Sequence, residues 1–287
     1  MQTMAVQTFR IVAHLALAGA RPSAGGATRG ATAMKRDLAI VAVLWLALTV
    51  AGVALARVDF FPVVRADKGD EIRHAFQVLL YLAAPVFALV VAVLAYSVLR
   101  FRHNGPPAVD GPPIMGRGVV PVAWFGVTAA LAVLVMVYPG LTGIPKVFRN
   151  PPPDLVVQVQ GTRWRWIVVY PQYRVTTLTE LVLPVDTTVR FEVTSPDVVH
   201  SFWIPAFLTK IDAVPGMTTV LTLRPTRTGS YETDQALRLQ CAELCGRDHA
   251  TMSMPVRVVT RQEFEAWVRA QAGQAGVVPA PVGTAPN

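Results

Sequence analysis

Both cysteines of the chain lie in one short segment, CAELCGRDHATM, at residues 241–252. Cys241 and Cys245 are followed at similarly close spacing by His249 and Met252. Sulfur and imidazole donors gathered in one segment are typical of a transition-metal site. The spacing therefore predicts metal chemistry, and the mixture of donors bears on which metal it would be.

Three interpretations of these residues compete. A disulfide between the cysteines would suit an oxidising compartment, but it closes a very short loop and gives His249 and Met252 no role. Tetrahedral zinc accepts two cysteines and two histidines, yet it gains nothing from a thioether. Copper suits thiolate, imidazole and thioether together, although a single electron-transfer copper needs only one cysteine. The second cysteine therefore favours two metal ions bridged by thiolates.

A second histidine ligand must come from elsewhere in the chain, which has five histidines. His14 lies in the N-terminal segment, His74 at a membrane edge, and His103 in a loop assigned below to the cytoplasm. The remaining candidate is His200, within SPDVVHSFWIP. Alone it would be an ordinary loop histidine, but beside residues 241–252 it is the predicted partner ligand.

The composition indicates that part of the chain is embedded in a membrane. Of 287 residues, 53% are hydrophobic and 15% charged, with a mean hydropathy of +0.43, which is too apolar for an ordinary soluble domain. Residues 38–56, 75–99 and 118–145 are free of charge, and each approaches or exceeds the roughly 20 residues that cross a bilayer. We predict a transmembrane helical hairpin at 75–145, preceded at 34–57 by an extra transmembrane helix or a signal peptide.

Positive charge is concentrated in the membrane half. Up to Pro153 there are 14 basic residues against 6 acidic ones, and from Asp154 there are 12 against 12. A net charge of +8 distributed in this way argues against nucleic-acid binding. By the positive-inside rule, residues 34–37 and 100–117 lie in the cytoplasm, and residues 57–74 and the C-terminal half lie outside. We predict a multi-pass protein of a bacterial plasma membrane, in contact with the lipid bilayer, whose C-terminal domain is on the outer face.

After the membrane half, the pattern changes to short strands separated by turns. Val189, Phe191 and Val193 alternate with polar residues, as in a half-buried strand. Further strands are predicted at 155–160, 165–170, 180–183, 218–223 and 256–259. About a hundred residues of this kind indicate an all-β sandwich or Greek-key barrel, placed at residues 154–270.

Irregular segments are expected at the ends of the chain and between its parts. Residues 1–33 lack helical periodicity and are predicted to be disordered, and residues 271–287 to form a flexible tail. The proline-rich stretch 144–153 should be a stiff spacer. Thr260 and Glu263 form a capping box that begins a short terminal helix.

Three segments carry a resemblance to a known family. DVVHSFWIP, KIDAVPG and CAELCGRDHATM follow, in this order, a membrane hairpin and a GTRWRW segment. This arrangement resembles subunit II of the haem-copper cytochrome c oxidases over about residues 75–267, most specifically at 195–255. The resemblance implies an all-β, cupredoxin-like Greek-key barrel at residues 154–270 that carries the dinuclear copper centre CuA.

The resemblance also implies a role for each candidate ligand. It assigns bridging thiolates to Cys241 and Cys245, imidazole ligands to His200 and His249, and weak axial ligands to the Met252 thioether and the Glu243 carbonyl. The Glu243 carboxylate would bind a magnesium or manganese ion shared with subunit I. One electron shared between two bridged coppers changes their geometry little, so its transfer stays fast at low driving force.

Outside this ligand set, Trp164 of GTRWRW resembles the exposed aromatic through which an electron arrives from cytochrome c. From composition alone it would be a core or surface aromatic of a strand. Lys210 and Asp212 match positions near the interface with subunit I, and a solvated turn is their alternative explanation.

The implied function is electron delivery into an oxygen-reducing, proton-pumping cytochrome-c oxidase, with subunit I and the other oxidase subunits as partners. A CuA-bearing subunit of a nitric oxide reductase is the enzymatic alternative, and a membrane-tethered copper-storage or chaperone protein is the non-enzymatic one. A quinol oxidase subunit is disfavoured, because that branch lacks the copper ligands.

Two features depart from the family pattern. The segment VVPVAW at residues 119–124 offers no carboxylate, whereas many members have a glutamate shortly before this tryptophan. The C-terminal half balances 12 basic against 12 acidic residues, whereas docking of cytochrome c usually uses an acidic surface. Long-range steering should then be weak, so the expected donor is a less basic cytochrome c or a membrane-bound c-type cytochrome.

Overall fold

The computed structural model of the protein describes residues 24–102, 105 and 116–274. The chain divides into two compact units, one formed by Met1–Asp59 with Ala75–Thr142 and the other by Phe60–His74 with Gly143–Asn287. The first unit carries the long apolar helices and the second carries the β domain. The second unit therefore includes a piece of chain that precedes most of the membrane half.

Long helices make up the first unit and enter the second. They are α1 at Ala24–Ala56, α2 at Asp67–Arg100 and α3 at Val119–Val135, which continues through a π-helical turn at Met136–Leu141 into α4 at Thr142–Val147. Within the described residues, three stretches are long and apolar enough to cross a membrane: Thr32–Ala56, Asp67–Arg100 and Val119–Val147. They coincide with the three charge-free segments of the sequence, and many of their apolar side chains are exposed, as a lipid environment favours.

Small residues bring α1 and α2 together. The Nε1 atom of Trp45 donates a hydrogen bond to the carbonyl of Pro85 over 2.8 Å. Gly52 faces Ala84 so closely that a Cβ atom at position 52 would lie 3.3 Å from the Ala84 Cβ. Small side chains of this kind allow membrane helices to approach each other, so α1 and α2 form a packed pair.

The helix ends differ from the predicted ones. α1 begins at Ala24, so residues 24–33, expected to be disordered, are helical. α2 begins at Asp67, well before residue 75, because the Asp67 carboxylate accepts the backbone N–H of Lys68 and satisfies a free donor of the first turn. α4 takes in residues 144–147 of the proline-rich stretch that was expected to be a spacer.

Several predicted irregular segments lie outside the described residues. These are residues 1–23 of the N-terminal segment, residues 103–104 and 106–115 of the cytoplasmic loop, and residues 275–287 of the tail. The first four residues of the predicted tail, 271–274, continue the terminal helix α5, which spans Arg261–Gln274.

Eleven strands are assigned within the described part of the second unit. They are β1 Leu155–Thr162, β2 Arg165–Tyr170, β3 Val175–Thr177, β4 Leu181–Pro184, β5 Val189–Thr194, β6 His200–Ile204, β7 Thr209–Ala213, β8 Thr219–Leu223, β9 Gly229–Ser230, β10 Arg238–Cys241 and β11 Ser253–Val259. One sheet has the order β3-β2-β1-β5-β8, and the other has the order β4-β11-β10-β6-β7, with β9 paired to β11.

The connections between the sheets give the domain its Greek-key character. β1 pairs with β5 and β4 pairs with β11, both in parallel, although these partners are distant in the chain. Parallel partners need long connections, which here run through the other sheet. The two sheets bury their inner faces together, and the prediction of membrane helices followed by an all-β cupredoxin-like domain is confirmed.

Alternation along the strands builds the core. Val189, Phe191 and Val193 of β5 are fully buried, while Arg190 and Glu192 between them are half-buried. The three buried side chains belong to one buried cluster with large aromatics of both sheets, Trp166, Tyr170 and Phe202, and with Phe207 of the turn after β6. A core of this kind, rather than the ligands, is what fixes the strands that carry the site.

The predicted capping box is present at the start of the terminal helix. The Glu263 carboxylate accepts the Thr260 N–H over 2.8 Å, and the Thr260 hydroxyl accepts the Glu263 N–H over 3.3 Å. These bonds start α5, which buries Phe264 and Val268 against the sheets and lays Trp267 against Tyr170 at 5.3 Å between ring centroids.

A segment before α2 also packs on the β domain, which the sequence did not indicate. We call residues 57–66 the α1–α2 connection. Ala66 is fully buried and forms a bridge with Pro225, and Arg65 pairs with Asp234 at 3.0 Å. The folded β domain therefore extends beyond the predicted range of residues 154–270.

Candidate metal centre

Three neighbouring strands position the candidate ligands. β10 ends at Cys241, and β11 begins directly after Met252. The backbone N–H of Cys241 donates to the carbonyl of Met252 over 3.0 Å, which closes the loop at its base. His200 is the first residue of β6, whose Phe202 is paired with Cys241. The sheet therefore brings His200 next to the loop formed by residues 241–252.

The sulfur and nitrogen donors converge within this loop. The Sγ atoms of Cys241 and Cys245 lie 3.8 Å apart, and both cysteines are free. The Nδ1 atom of His200 lies 3.8 Å from Cys241 Sγ, and the Nδ1 atom of His249 lies 3.5 Å from Cys245 Sγ. Each thiol therefore has its own imidazole nitrogen beside it.

Two weaker donors complete the group. The Sδ atom of Met252 lies 3.8 Å from Cys245 Sγ. The Glu243 carbonyl oxygen lies 3.2 Å from Cys241 Sγ, while the Glu243 residue as a whole is exposed. The backbone of Glu243 thus faces the thiols, and its carboxylate is available to a second ion or partner.

Burial separates most of these donors from water. His200 and Met252 are 0% exposed, Cys241 is 2% exposed and Cys245 is 5% exposed, whereas His249 is half-buried. Burial, with a smaller contribution from the neighbouring Cys241, raises the pKa of Cys245 to about 11. The free thiol is therefore protonated at neutral pH, and a metal ion that binds must displace its proton.

Asp197 orients the imidazole of His200. The Asp197 Oδ1 atom lies 2.9 Å from His200 Nε2, which leaves Nδ1 as the nitrogen with a free lone pair beside the thiols. Burial would raise the pKa of Asp197, but hydrogen bonds from the Arg163 N–H, His200 and the Val198 N–H outweigh it and lower the pKa. Such a carboxylate partner is common for metal-binding histidines. Sequence reasoning missed Asp197, whose one signal is its position three residues before His200.

Trp164 contacts the ligand loop from the surface. Its Nε1 atom donates to the Cys245 carbonyl over 3.3 Å, and the Arg247 guanidinium lies 5.4 Å from its ring centroid. Gly246 has a φ of +122°, and a Cβ atom there would lie 3.3 Å from the Trp164 ring, so only glycine suits this position. Trp164 is half-exposed, whereas Trp166 is buried in the core.

The other two predicted residues lie on the neighbouring strand. Lys210 and Asp212 are exposed on β7, paired with Trp203 and Ser201 of β6. They are therefore near the site in the sheet, and none of the contacts among the described residues joins either side chain to a candidate ligand.

The donor set tests the competing interpretations. Two free thiols, two imidazole nitrogens, a thioether and a carbonyl provide more donors than one tetrahedral ion uses. A single zinc ion would leave the buried thioether without a role, whereas soft thiolate and thioether ligands suit copper. The residues therefore fit a pair of copper ions better than a disulfide or a zinc ion.

The sequence of the chain is similar to those of known proteins. The family model described as "Cytochrome C oxidase subunit II, periplasmic domain" matches residues 172–259. A probable cytochrome c oxidase subunit 2 of Rickettsia prowazekii is 29% identical over 222 residues, covering 69% of this chain and 67% of the relative. Cytochrome c oxidase subunit 2 of a Synechocystis species is 27% identical over 260 residues, covering 74% of this chain and 75% of the relative.

A solved structure is similar over the β domain. The periplasmic domain of subunit II of cytochrome oxidase from Bradyrhizobium japonicum is 33% identical and covers 44% of this chain and 99% of that one, with a TM-score of 0.40.

Proposed function

We propose that the chain is the subunit that receives electrons in a haem-copper terminal oxidase, which its similarity to cytochrome c oxidase subunit II proteins supports. It would accept them from a c-type cytochrome at a dinuclear copper centre and pass them to the haem of subunit I, where oxygen is reduced to water and protons are pumped. The observation that carries this proposal is the pairing of each thiol with its own imidazole nitrogen, at 3.8 Å for Cys241 and 3.5 Å for Cys245.

The candidate ligands would differ in how strongly they bind the metal. When bound, a pair of copper ions would supply a one-electron acceptor. The residues that would hold the pair are Cys241, Cys245, His200 and His249, with the Met252 thioether and the Glu243 carbonyl as weak neutral donors. Asp197 keeps the His200 ring in the orientation that this requires.

Trp164 is the proposed point at which the electron arrives. Its ring is half-exposed, so a donor protein can touch it, and its N–H is bonded to the carbonyl of Cys245. The neighbouring Arg247 stacks on the ring. This local positive charge and the balanced charge of the C-terminal half both suit a donor whose docking surface is not strongly basic.

Copper content and electron paramagnetic resonance test the proposed centre. The full chain, purified in detergent and reconstituted with copper, should bind two copper ions and show a seven-line hyperfine pattern, because one unpaired electron couples to both nuclei. Cys245→Ser should lose this pattern, because it removes a bridging thiolate. One copper per chain, or the four-line pattern of an isolated cupric ion, would refute the proposal.

Identification of the gas consumed tests the reaction. The complex that copurifies with the chain should contain subunit I and consume oxygen in the presence of a reduced c-type cytochrome. Consumption of nitric oxide instead would assign the chain to a nitric oxide reductase. A copper-loaded chain that copurifies with no haem protein would instead indicate copper storage.

Glu243 is the proposed ligand of a second metal. Its exposed carboxylate can reach a magnesium or manganese ion at the interface with subunit I, while its carbonyl faces the thiols. Glu243→Gln should keep both coppers and lower the magnesium or manganese content of the purified complex. Glu232→Gln changes another exposed glutamate of the same unit and should leave all metals in place.

We further propose that the chain crosses the plasma membrane of a bacterium more than once, with the β domain on the outer face. The positive-inside rule supports this orientation, and so does the Lys146–Glu71 ion pair, at 3.0 Å, which joins the end of α4 to the start of α2. Protease added outside intact spheroplasts should cleave the β domain. The mass of the mature chain will show whether α1 is retained, as its packing on α2 favours.

A further inference from the structure

A cavity of about 270 Å³ lies in the second unit, where α2 begins and α4 ends. Its lining includes four basic residues, Lys68, Lys146, Arg149 and Arg224, and one acidic residue, Asp67. Lys68 is in the first turn of α2, Lys146 is near the end of α4, and Arg224 directly follows β8. The cavity is thus strongly positive, and it has no part in the copper site.

The acidic groups near the cavity, Asp67 and Glu71, offset only part of the charge of its four basic residues. The Oδ1 atom of Asp67 accepts the backbone N–H groups of Lys68 and Arg224, over 2.8 and 2.9 Å, so it serves the backbone. Glu71 pairs with Lys146 at 3.0 Å on the exposed side. Among the described residues, no hydrogen bond or ion pair occupies the guanidinium of Arg149 or of Arg224.

Lys68 is the most informative of these residues. It is only 7% exposed, and its ammonium group has no hydrogen-bond or ion-pair partner in the described part of the chain. Its nearest carboxylate, Asp67, accepts two backbone N–H groups, so an anion in the cavity would stabilise the charge of this largely buried lysine.

Gly69 fixes this part of the cavity wall. A Cβ atom there would lie 2.7 Å from Val64 and 2.9 Å from the Phe207 carbonyl, so the helix start is seated tightly on the domain. The position of Lys68 is therefore set by the fold rather than by a flexible surface.

We propose that this cavity binds the phosphate group of an anionic phospholipid. Arginine offers phosphate paired N–H donors, and lysine offers it a compact charge. Inorganic phosphate has the same chemistry, but the cavity lies at the ends of two candidate membrane spans, Asp67–Arg100 and Val119–Val147, where lipid headgroups are concentrated. Basic pockets at such helix ends are suited to anionic headgroups.

Titration of the delipidated full chain in detergent tests the proposal without reference to copper. The probes are dihexanoyl phosphatidylglycerol, dihexanoyl phosphatidylcholine and inorganic phosphate, followed by isothermal titration calorimetry. Phosphatidylglycerol should bind tightest. Arg224→Gln should weaken it by about fivefold, and Lys68→Gln by about tenfold or more, because Lys68 is buried.

Two control variants, Lys68→Arg and Arg73→Gln, make the outcome specific, and Arg224→Gln is a second test at an exposed position. Lys68→Arg keeps the charge and should retain most of the affinity, and Arg224→Gln changes an exposed residue, so it does not depend on the tolerance of a buried site. Arg73→Gln removes a cation from the same helix that does not line the cavity, and it should leave binding unchanged.

Each contrary result overturns the proposal. Equal affinity for inorganic phosphate and phosphatidylglycerol would assign the cavity to a free anion. An equal loss of affinity in Arg73→Gln would show general membrane electrostatics. If none of the probes bound, the cavity would not be a phosphate site, and an acidic segment of another protein would be the remaining candidate occupant. Copper content does not enter these measurements, so failure here is distinct from failure of the proposed function.

Discussion

The indole N–H of Trp164 is bonded to the carbonyl of Cys245 over 3.3 Å. Trp164 is half-exposed and Cys245 is buried, so this hydrogen bond joins the surface of the domain to the backbone of a candidate ligand. The ring is also held from the outside by the Arg247 guanidinium at 5.4 Å from its centroid. The arrangement fixes the aromatic in contact with the ligand loop rather than leaving it as a free surface side chain.

Trp164→Phe should slow electron uptake severalfold and leave copper content intact. Phenylalanine keeps an aromatic ring but loses the N–H group, so the contact with Cys245 is weakened while the ligands stay in place. Stopped-flow reduction of the copper-loaded chain by a c-type cytochrome measures the rate. Trp267→Phe changes a tryptophan on α5 and is the matched control. Loss of copper from Trp164→Phe would mean that the residue is structural.

Asp197→Asn should lower copper affinity by about 10- to 100-fold, the usual effect of losing the carboxylate partner of a metal-binding histidine. The amide oxygen can still accept the Nε2–H of His200, but it has no negative charge and therefore stabilises this form of the ring less. Competition with a copper chelator measures the affinity.

Asp248→Asn removes a carboxylate of the ligand loop that pairs with Arg247 rather than with an imidazole, and it should have little effect. If both variants retained copper equally well, Asp197 would have no part in orienting His200.

Met252→Leu should keep the fold and the copper but raise the reduction potential and make the two coppers less equivalent. The swap keeps hydrophobic volume, which buried sites tolerate at a cost below about 1.5 kcal/mol, and it deletes the sulfur 3.8 Å from Cys245 Sγ. Redox titration and hyperfine structure measure the change, and transfer to the haem of subunit I should slow.

Met254→Leu is the matched control for this change. Met254 is 3% exposed and lies two positions further along β11, but its sulfur contacts no candidate ligand among the described residues. The same potential in both variants and in the unchanged chain would remove Met252 from the ligand set.

Arg65→Gln should lower the free energy of unfolding of the β domain by about 2 kcal/mol. The Arg65–Asp234 pair is largely buried, with side chains 14% and 20% exposed, and removal of one partner leaves a charge in a poorly solvated position. Urea unfolding of the full chain, followed by circular dichroism in the β-sheet region, measures the change.

Arg261→Gln breaks an exposed pair with Glu265 instead and should cost at most about 0.5 kcal/mol. Equal costs for the two variants would show that the α1–α2 connection adds nothing to the stability of the domain.

Local pattern was sufficient for some elements with one buried face, although β3 and β10, whose burial also alternates, were not predicted. The alternation of Val189, Phe191 and Val193 predicted β5, and Thr260 with Glu263 predicted the start of α5. β6 was missed because its burial does not alternate: four of its five residues, His200 among them, are buried. A strand buried on both faces has no period-two signal, so the residue that most needed a strand assignment was treated as part of a loop.

Contacts that depend on how the chain folds could not be read from the sequence, whether the two partners are close in the chain or far apart. Asp197 became visible only when the fold placed its carboxylate 2.9 Å from His200. The contact of Ala66 with Pro225 joins residues far apart in the chain, and neither residue type suggests a partner. The ligand types and their spacing indicated the metal chemistry, whereas the groups that orient and support the ligands depend on tertiary packing.

In the membrane topology proposed above, completion of the β domain depends on the side of the bilayer on which the α1–α2 connection emerges. Arg65 and Ala66 are synthesised long before Asp234 and Pro225, and they can meet only if both parts emerge on the same side. In a chain inserted with α2 reversed, these partners would be separated by the lipid. The domain would then lack the ion pair of Arg65 with Asp234 and the bridge of Ala66 to Pro225. Correct insertion of α2 is therefore a condition for completing the β domain, and this condition does not involve the metal.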